Sequence, residues 1–177
     1  MDLRGETPEH PLPALNWRPM IPADLDAVAG IALIGFPDHF EGRDCFENRL
    51  SLWPQGCFVL ADDDGRPLGY LVAYPWRADE APALNTLIAA IPDDATVMYL
   101  HDLCLHPDAR GRSVTGAIVE RLADQARGEG WPALALVAVN DAAGFWARYG
   151  FGVRESEAIA RKLAGYGSDA RYMLRPL

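Results

Sequence analysis

The 177-residue sequence lacks any apolar run that could cross a lipid bilayer. Its longest unbroken apolar run extends from Trp131 to Val139, whereas a membrane-spanning helix needs about 20 residues. The opening residues MDLRGETPEH have no apolar stretch behind their charges, so we expect no signal peptide. These absences predict a protein that works in the cytoplasm and away from membranes.

Basic charge and cysteine are both scarce. The chain has 16 lysine and arginine residues against 25 aspartate and glutamate residues, which gives a formal net charge of −9. A surface of that sign repels phosphates and argues against a general nucleic-acid binder. Cys45, Cys57 and Cys104 are widely spaced and form no CxxC pair. We therefore expect neither a disulfide framework nor a metal site, in keeping with a reducing cytoplasm.

What the chain does have is an ordinary globular composition. Half of its residues are apolar and 23% are charged, which at this length is enough for one sizeable core. No internal repeat or low-complexity tract interrupts it. Residues 1–14 are rich in proline and charge and are expected to form a loose arm. Residues 15–177 are expected to form a single domain.

Hydrophobic periodicity and turn signals predict alternating strands and helices, which is the pattern of an α/β fold. The turn Asp62-Asp63-Asp64-Gly65 predicts a hairpin, and its carboxylates have no ligand spacing beyond the turn. The expected elements are a strand over 15–20, helices from Pro22 and over 44–53, strands over 57–61 and 67–74, one or two helical turns over 86–91, a strand over 96–105, a helix from about Ser113, a strand over 132–139, a helix over 142–149, and strands over 150–155 and 171–177.

The segment over 98–122 combines a strand, a polar turn and a helix. A helix that begins directly after such a turn presents unsatisfied N–H groups and the positive end of its dipole, which suit a pyrophosphate. Arg110 and Arg112 add positive charge beside it, and Gly111 and Gly116 allow close approach of the backbone. An ordinary strand-to-helix connection with two solvated arginines explains the same residues equally well.

The stretch LCLHPDARGRSVTGAIVERL resembles the acyl-CoA-binding motif of the GNAT superfamily of N-acetyltransferases. The motif begins at Arg110 and places Ser113 and Thr115 where the family usually has two glycines. The resemblance implies that the end of the strand binds the pantetheine and polarises the thioester, and that the loop and helix start bind the pyrophosphate. The implied acyl-CoA-binding residues of this region are Leu103, Cys104, Leu105, Arg110, Gly111, Arg112, Ser113, Val114, Thr115 and Gly116.

A second stretch, LALVAVNDAAGFWARYGF, resembles the next GNAT motif, in which a buried strand is followed by a short aromatic helix. Trp146 takes the position where many members have a tyrosine that protonates the departing CoA thiolate. An indole cannot act as that acid, so Trp146 is expected to pack against the pantetheine or simply to fill the core. Tyr149 either replaces the missing phenol or packs. The resemblance also implies a contact between Asn140 and CoA.

His101 and Asp102 are ionisable residues inside an otherwise apolar strand, where they are costly unless paired or hydrated. Strict alternation places Tyr99, His101 and Leu103 on one face of the strand and Asp102 on the other. Histidine suits proton transfer near neutral pH, and arylalkylamine-type GNAT enzymes carry a histidine at this position. His101 is therefore either the base that accepts the amine proton or a satisfied histidine between sheet and loop, and Asp102 is expected to be structural.

The resemblance implies an α/β GNAT-like fold, with a mixed, twisted sheet of about six or seven strands, splayed at the acyl-CoA site, and helices on both faces. It implies transfer of an acetyl group from acetyl-CoA to a primary amine by direct attack in a ternary complex, without a metal. The segment from Phe36 to Glu41 would border the acceptor pocket, although a polar loop with two buried rings explains it as well. A non-catalytic acyl-CoA-binding or sensing module is the main alternative, and a partner-binding protein that uses no CoA is a third.

Overall fold

A computed structural model describes residues 11–177 of the chain. The predicted arm therefore lies outside the described residues up to position 10, and residues 11–14 form neither helix nor strand. The elements are β1 (Asn16–Pro19), α1 (Leu25–Gly35), α2 (Arg43–Leu52), β2 (Cys57–Ala61), β3 (Pro67–Trp76), β4 (Val97–Leu105), α3 (Thr115–Gly128), β5 (Ala133–Ala138), α4 (Ala143–Ala147), β6 (Gly152–Val153), α5 (Glu157–Lys162) and β7 (Arg171–Pro176).

The seven strands of residues 11–177 form one mixed sheet in the order β1-β2-β3-β4-β5-β7-β6. All neighbouring strands are antiparallel except β4 and β5, which are parallel and connected through α3. The predicted hairpin joins β2 to β3. Its turn is held by the Asp62 carboxylate, which accepts hydrogen bonds from the N–H groups of Asp64 and Arg66.

Helices cover both faces of the sheet, as predicted. One face carries α1, α2 and α5, whose buried residues pack against side chains such as Tyr70, Tyr74 and Tyr99. The other face carries α3 and α4, which pack against Leu71, Met98 and neighbouring apolar residues. The sheet is thus buried between two hydrophobic layers, and none of the helices within residues 11–177 is both long and apolar enough to cross a membrane.

The predicted splay lies between β4 and β5. The two strands pair only at Met98 with Leu134 and at Tyr99 with Ala135. Beyond these pairs β4 continues to Leu105 and β5 to Ala138 without pairing to each other. This leaves one edge of β4 with free backbone donors and acceptors in the middle of a sheet, where such groups need partners.

A β-bulge at His101 overturns the predicted alternation along β4. Val72 of β3 pairs with Asp102 and Ala73 pairs with Leu100, so His101 has no partner in β3. An inserted residue shifts every later side chain to the opposite face. The strand therefore presents His101 and Asp102 on the same face, beside tyrosines of β3, whereas Leu103 packs in the layer of α3.

Three other expectations differ in detail. The helical turns predicted over 86–91 are absent from the described chain, where this segment follows turns and bends and is tied to α2 through Asn48 and Arg49. Helix α3 begins at Thr115 because Ser113 adopts a left-handed conformation, with φ +56°. Val114 therefore lies before the helix and packs near Leu105. Helix α5 was not predicted from the sequence, in which no element was expected between residues 155 and 171.

The start of α1 is fixed by a buried carboxylate. Asp24 accepts two hydrogen bonds from the Arg18 guanidinium, at 2.8 and 2.9 Å, and a third from the N–H of Ile21. Burial raises the pKa of Asp24, but the hydrogen bonds from Arg18 and Ile21 and the Arg18 charge outweigh it, so the pKa lies below its ordinary value. This pair connects β1 to α1.

We predict that Asp24→Asn lowers the free energy of unfolding by about 1.5–3 kcal/mol at neutral pH, the usual size of a hydrogen bond to a charged group. A carboxyl with a lowered folded pKa stabilises the protein above its unfolded pKa and loses that effect as acid protonates it. The difference from wild type, measured by urea denaturation, should therefore shrink at about pH 3. Asp26→Asn, on an exposed carboxyl of the same helix, should change the stability little, and an equal loss in both variants would contradict the prediction.

Candidate active site

A cavity of about 560 Å³ opens where β4 and β5 separate. It runs through the gap in the sheet and is lined from both faces. The β4–α3 turn, α4 and β5 form one part of its wall, and the segment between α1 and α2 forms another together with Leu84 and Tyr166. Gly35, at the end of α1, lies so close to the Cys104 thiol that any Cβ there would clash with it. The absence of that side chain lets α1 approach β4 and close this side of the cavity.

The turn between β4 and α3 lines the cavity and holds backbone donors that lack acceptors in the described part of the chain. Gly111 and Ser113 both have left-handed backbones, with φ +73° and +56°. Within residues 11–177 the N–H groups of residues 111–114 find no protein acceptor. Arg110 lines the cavity without an ion-pair partner among the described residues, while Arg112 donates to the Pro13 carbonyl at 2.7 Å. The N–H groups of residues 111–114, the start of α3 and the Arg110 guanidinium together form a site suited to phosphate.

The free edge of β4 offers N–H groups to an extended ligand. The N–H of His106 donates to the Leu68 carbonyl on the β3 side. Because backbone N–H groups of a strand point alternately to its two edges, those of Leu105 and Leu103 point toward β5, where no strand pairs with them. The Cys104 thiol donates a hydrogen bond to the Ile31 carbonyl of α1, which packs on one face of the sheet. Burial raises the pKa of this thiol to about 12, so it stays protonated.

Aromatic side chains of α4 form the far wall of the cavity. Trp146 is only 8% exposed and packs edge-on against Phe145 and Phe151, with ring centroids 5.1 and 5.6 Å apart. The ring of Tyr149 packs against those of Phe145 and Trp146, and Tyr149 also lines the cavity. Trp146 therefore lies in the cavity wall within a packed aromatic cluster, and its contact with pantetheine stays a prediction.

The cavity reaches a buried histidine–carboxylate pair on the other face. His101 Nε2 lies 2.5 Å from Glu41 Oε1, and the two side chains are 4% and 6% exposed. The Tyr74 hydroxyl lies 3.1 Å from His101 Nδ1. A carboxylate oxygen only accepts, so His101 Nε2–H donates to Glu41, and in the neutral form of the imidazole Nδ1 accepts from the Tyr74 hydroxyl. Both nitrogens of His101 are thus engaged.

A buried arginine supports the charge of Glu41. Burial raises the pKa of Glu41, but the charge and hydrogen bond of His101, together with the charge of Arg49, lower it further, so the pKa is below its ordinary value. Arg49 is 2% exposed and packs over the Tyr74 ring at 5.8 Å. Its Nη1 donates to the Thr86 carbonyl, while Nε and Nη2 have no hydrogen-bond partner in the described part of the chain. Glu41 is therefore held as a carboxylate.

Asp102 is a second carboxyl on the same face. It accepts a hydrogen bond from the Tyr70 hydroxyl. Burial raises its pKa to about 7, against the lowering effects of His101 and Tyr70. Near neutral pH this carboxyl is divided between its charged and neutral forms, unlike Glu41.

The structure brings most of the residues singled out in the sequence to this one cavity. Gly116 and Asn140 lie outside its lining, whereas the others form part of it. Glu41 and His39 lie in the segment expected to border the acceptor pocket. Tyr166 and Arg148 also line the cavity and carried no sequence signal of their own. Among residues 11–177, no three His, Cys, Asp or Glu side chains are grouped to hold a metal ion. The residues that line the cavity and were named from the sequence are His101, Leu103, Cys104, Leu105, Arg110, Gly111, Arg112, Ser113, Val114, Thr115 and Trp146.

Comparisons with known proteins agree with this geometry. Among solved structures, Ard1 from Thermoplasma volcanium is 18% identical, with a TM-score of 0.71 over 93% of this chain and 98% of that one. A GCN5-related N-acetyltransferase from Kribbella flavida is 25% identical, with a TM-score of 0.64 over 93% and 98%. The N-acetyltransferase YhbS from Escherichia coli, in complex with CoA, is 16% identical, with a TM-score of 0.60 over 94% and 83%.

The sequence itself gives the more direct evidence. A search among curated proteins gives no match. The model of the acetyltransferase (GNAT) family, however, matches residues 24–151. That range includes both α1 and α2, the splayed strands and the whole β4–α3 turn. With its acyl-CoA-binding fold, the chain belongs to the GNAT family of acetyltransferases.

Proposed function

We propose that the protein transfers the acetyl group of acetyl-CoA to a primary amine by direct attack in a ternary complex. The observation that carries this proposal is the single cavity. It joins the anion-binding β4–α3 turn on one face of the sheet to the buried His101–Glu41 pair on the other. A thioester threaded through the gap between β4 and β5 would meet an amine beside that pair.

The chain offers a separate partner to each part of acetyl-CoA. The free N–H groups of residues 111–114, the start of α3 and Arg110 would bind the pyrophosphate. Pantetheine would run along the free edge of β4, packed against Trp146. The N–H groups of Leu103 and Leu105 would then donate to the thioester carbonyl, and stabilise the negative charge that develops on its oxygen during attack.

The His101–Glu41 pair would accept the proton of the amine. Nε2 keeps its proton against the Glu41 carboxylate, and Nδ1, the unprotonated nitrogen, would take the amine proton in place of the hydrogen bond from the Tyr74 hydroxyl as the new C–N bond forms. The C–S bond then breaks and CoA leaves as a thiolate. A thiol of this kind has a pKa near 8.5, so its departure needs no strong acid, and Trp146 is not required to supply one.

The alternative function is that of a non-catalytic acyl-CoA sensor. It is favoured by Trp146, which stands where many family members have a tyrosine. The two readings separate in one assay, in which release of free CoA thiol is followed with a panel of primary amines. Turnover supports the enzyme. A rise in the melting temperature with acetyl-CoA but no turnover with any amine would support the sensor instead.

We predict that Arg110→Gln weakens CoA binding at least about tenfold, because a hydrogen bond to a charged group contributes about 1.5–3 kcal/mol. Binding of S-acetylpantetheine, which lacks the pyrophosphate, should be unchanged, as titration calorimetry can measure. Arg161→Gln, an exposed arginine of α5 outside the cavity, is the matched control. If both variants bind CoA like wild type, the pyrophosphate does not sit at the β4–α3 turn.

We predict that His101→Gln and Glu41→Gln each lower kcat/KM at least about tenfold, since a positioned general base contributes about 10² to 10⁴ in rate. The double variant should lie within about threefold of the weaker single variant, because residues that act as a unit are not additive. The rise in melting temperature with acetyl-CoA should be retained throughout. Multiplicative losses in the double variant would show that the two residues act separately.

The buried Asp102 makes a pH-dependent stability prediction. Its folded pKa of about 7 exceeds the unfolded value near 3.9, so the folded protein retains a proton that the unfolded chain releases. This group therefore makes the free energy of unfolding fall as the pH rises from about 4 to about 7. In Asp102→Asn that contribution is removed, so urea denaturation at about pH 5 and about pH 8 should show the variant gaining stability relative to wild type at the higher value. A constant difference between the two proteins would contradict the raised pKa.

A further inference from the structure

Resting on the proposed function, we propose that the acceptor is a compact primary amine with an apolar substituent and no anionic group next to its nitrogen. Three features of the acceptor part of the cavity lead to this class. They are the acidic charge of its ionisable groups, the apolar character of its walls and a hydrogen bond that bridges two segments of the wall.

The charged groups on this side of the sheet are acidic. Glu41 and Asp102 both line the cavity beside His101. The arginines of the lining are Arg110, Arg112 and Arg148, which come from the β4–α3 turn and from α4, where the phosphates of CoA would bind. The nearby buried cation, Arg49, is not part of the lining and is held by the Thr86 carbonyl. A carboxylate next to the reacting nitrogen would therefore face two carboxyls and no cation in this part of the lining, which disfavours it.

The walls of the same region are apolar. Phe36, Leu84 and the ring of Tyr166 line it, and the Tyr166 hydroxyl is already used in a hydrogen bond to the Pro82 carbonyl. The remaining polar side chain of this wall, His39, uses its Nε2 for the Tyr166 carbonyl, at 2.9 Å, while its buried Nδ1 has no partner among the described residues. Few polar groups are thus free to recognise a hydroxylated or charged substituent, whereas an apolar one is desolvated favourably.

The hydrogen bond between His39 and the Tyr166 carbonyl bridges two segments of the cavity wall. It joins the loop between α1 and α2, at His39, to the segment between α5 and β7, at Tyr166. Both residues line the cavity, so the wall is continuous where they meet. This contact favours a small amine over the extended amino terminus of a polypeptide, which would have to pass between the two segments.

The test compares three matched ligands of the wild-type protein. They are 2-phenylethylamine, L-phenylalaninamide and L-phenylalanine, which share an apolar ring and differ in the group beside the nitrogen. Acetylation rates are expressed per concentration of unprotonated amine, so that differences in amine pKa do not enter. We expect kcat/KM for the two compounds without a carboxylate, 2-phenylethylamine and phenylalaninamide, to exceed that for phenylalanine at least tenfold. Equal or faster acetylation of phenylalanine, or faster acetylation of a short peptide with a free amino terminus, would overturn the proposal.

A binding measurement separates this inference from the proposed function. In the presence of CoA, which cannot react, 2-phenylethylamine should raise the melting temperature and phenylalanine should not. If 2-phenylethylamine stabilises the CoA complex, phenylalanine does not and no amine is acetylated, the result would support the class of amine bound and overturn the transfer reaction. A protein that binds CoA but is stabilised by neither amine would overturn the acceptor class.

A variant tests the electrostatic cause. Leu84→Lys places a cation on the acceptor wall, and should raise the phenylalanine-to-phenylalaninamide ratio of kcat/KM at least tenfold. Leu84→Met, similar in size and uncharged, should leave the ratio unchanged. If the lysine variant also leaves the ratio unchanged while retaining acetyl-CoA binding, charge does not set the acceptor class.

Discussion

The early end of pairing between β4 and β5 is the constraint on which the rest of the site depends. After the pairs at Met98 and Tyr99 the two parallel strands diverge, which creates both the passage through the sheet and the free edge of β4. Unpaired backbone groups inside a sheet are unfavourable without a partner. An extended ligand can supply those partners, and the β4–α3 turn and the His101–Glu41 pair lie at the two ends of that passage.

The bulge at His101 determines which chemistry faces the passage. Without the inserted residue, His101 and Asp102 would project from opposite faces of β4, and only one of them could meet the acceptor. With it, both lie beside Tyr70 and Tyr74 on the face that also receives Glu41. The pKa values of Glu41 and Asp102 shift in opposite directions. At Glu41 the effects of His101 and the charge of Arg49 outweigh burial, whereas at Asp102 burial outweighs the effects of His101 and of the Tyr70 hydroxyl.

The fold and the family were predictable because their signals are local in the sequence. The β4–α3 turn, the buried run of β5 and the aromatic pair of α4 are contiguous stretches with recognisable residues and spacing, and the predicted mixed sheet with helices on both faces is confirmed. The bulge was missed because period-two alternation contains no sign of an inserted residue. The partners of His101 were missed because Glu41, Tyr74 and Arg49 come from separate elements that only the tertiary fold brings together. Residue roles at the site stay predictions.

The three cysteines give the molecule a chemical property that matters for a protein whose proposed reaction releases a thiol at every turnover. All three are buried, and burial raises the pKa of Cys57 and of Cys104 to about 12 and that of Cys45 above its ordinary value. Thiol–disulfide exchange requires a thiolate with access to the attacked sulfur. Burial and the raised pKa values therefore disfavour reaction of these thiols with oxidised CoA, and at Cys104, whose residue lines the cavity, they disfavour both a mixed disulfide with the released thiol and competition with the amine for the acetyl group.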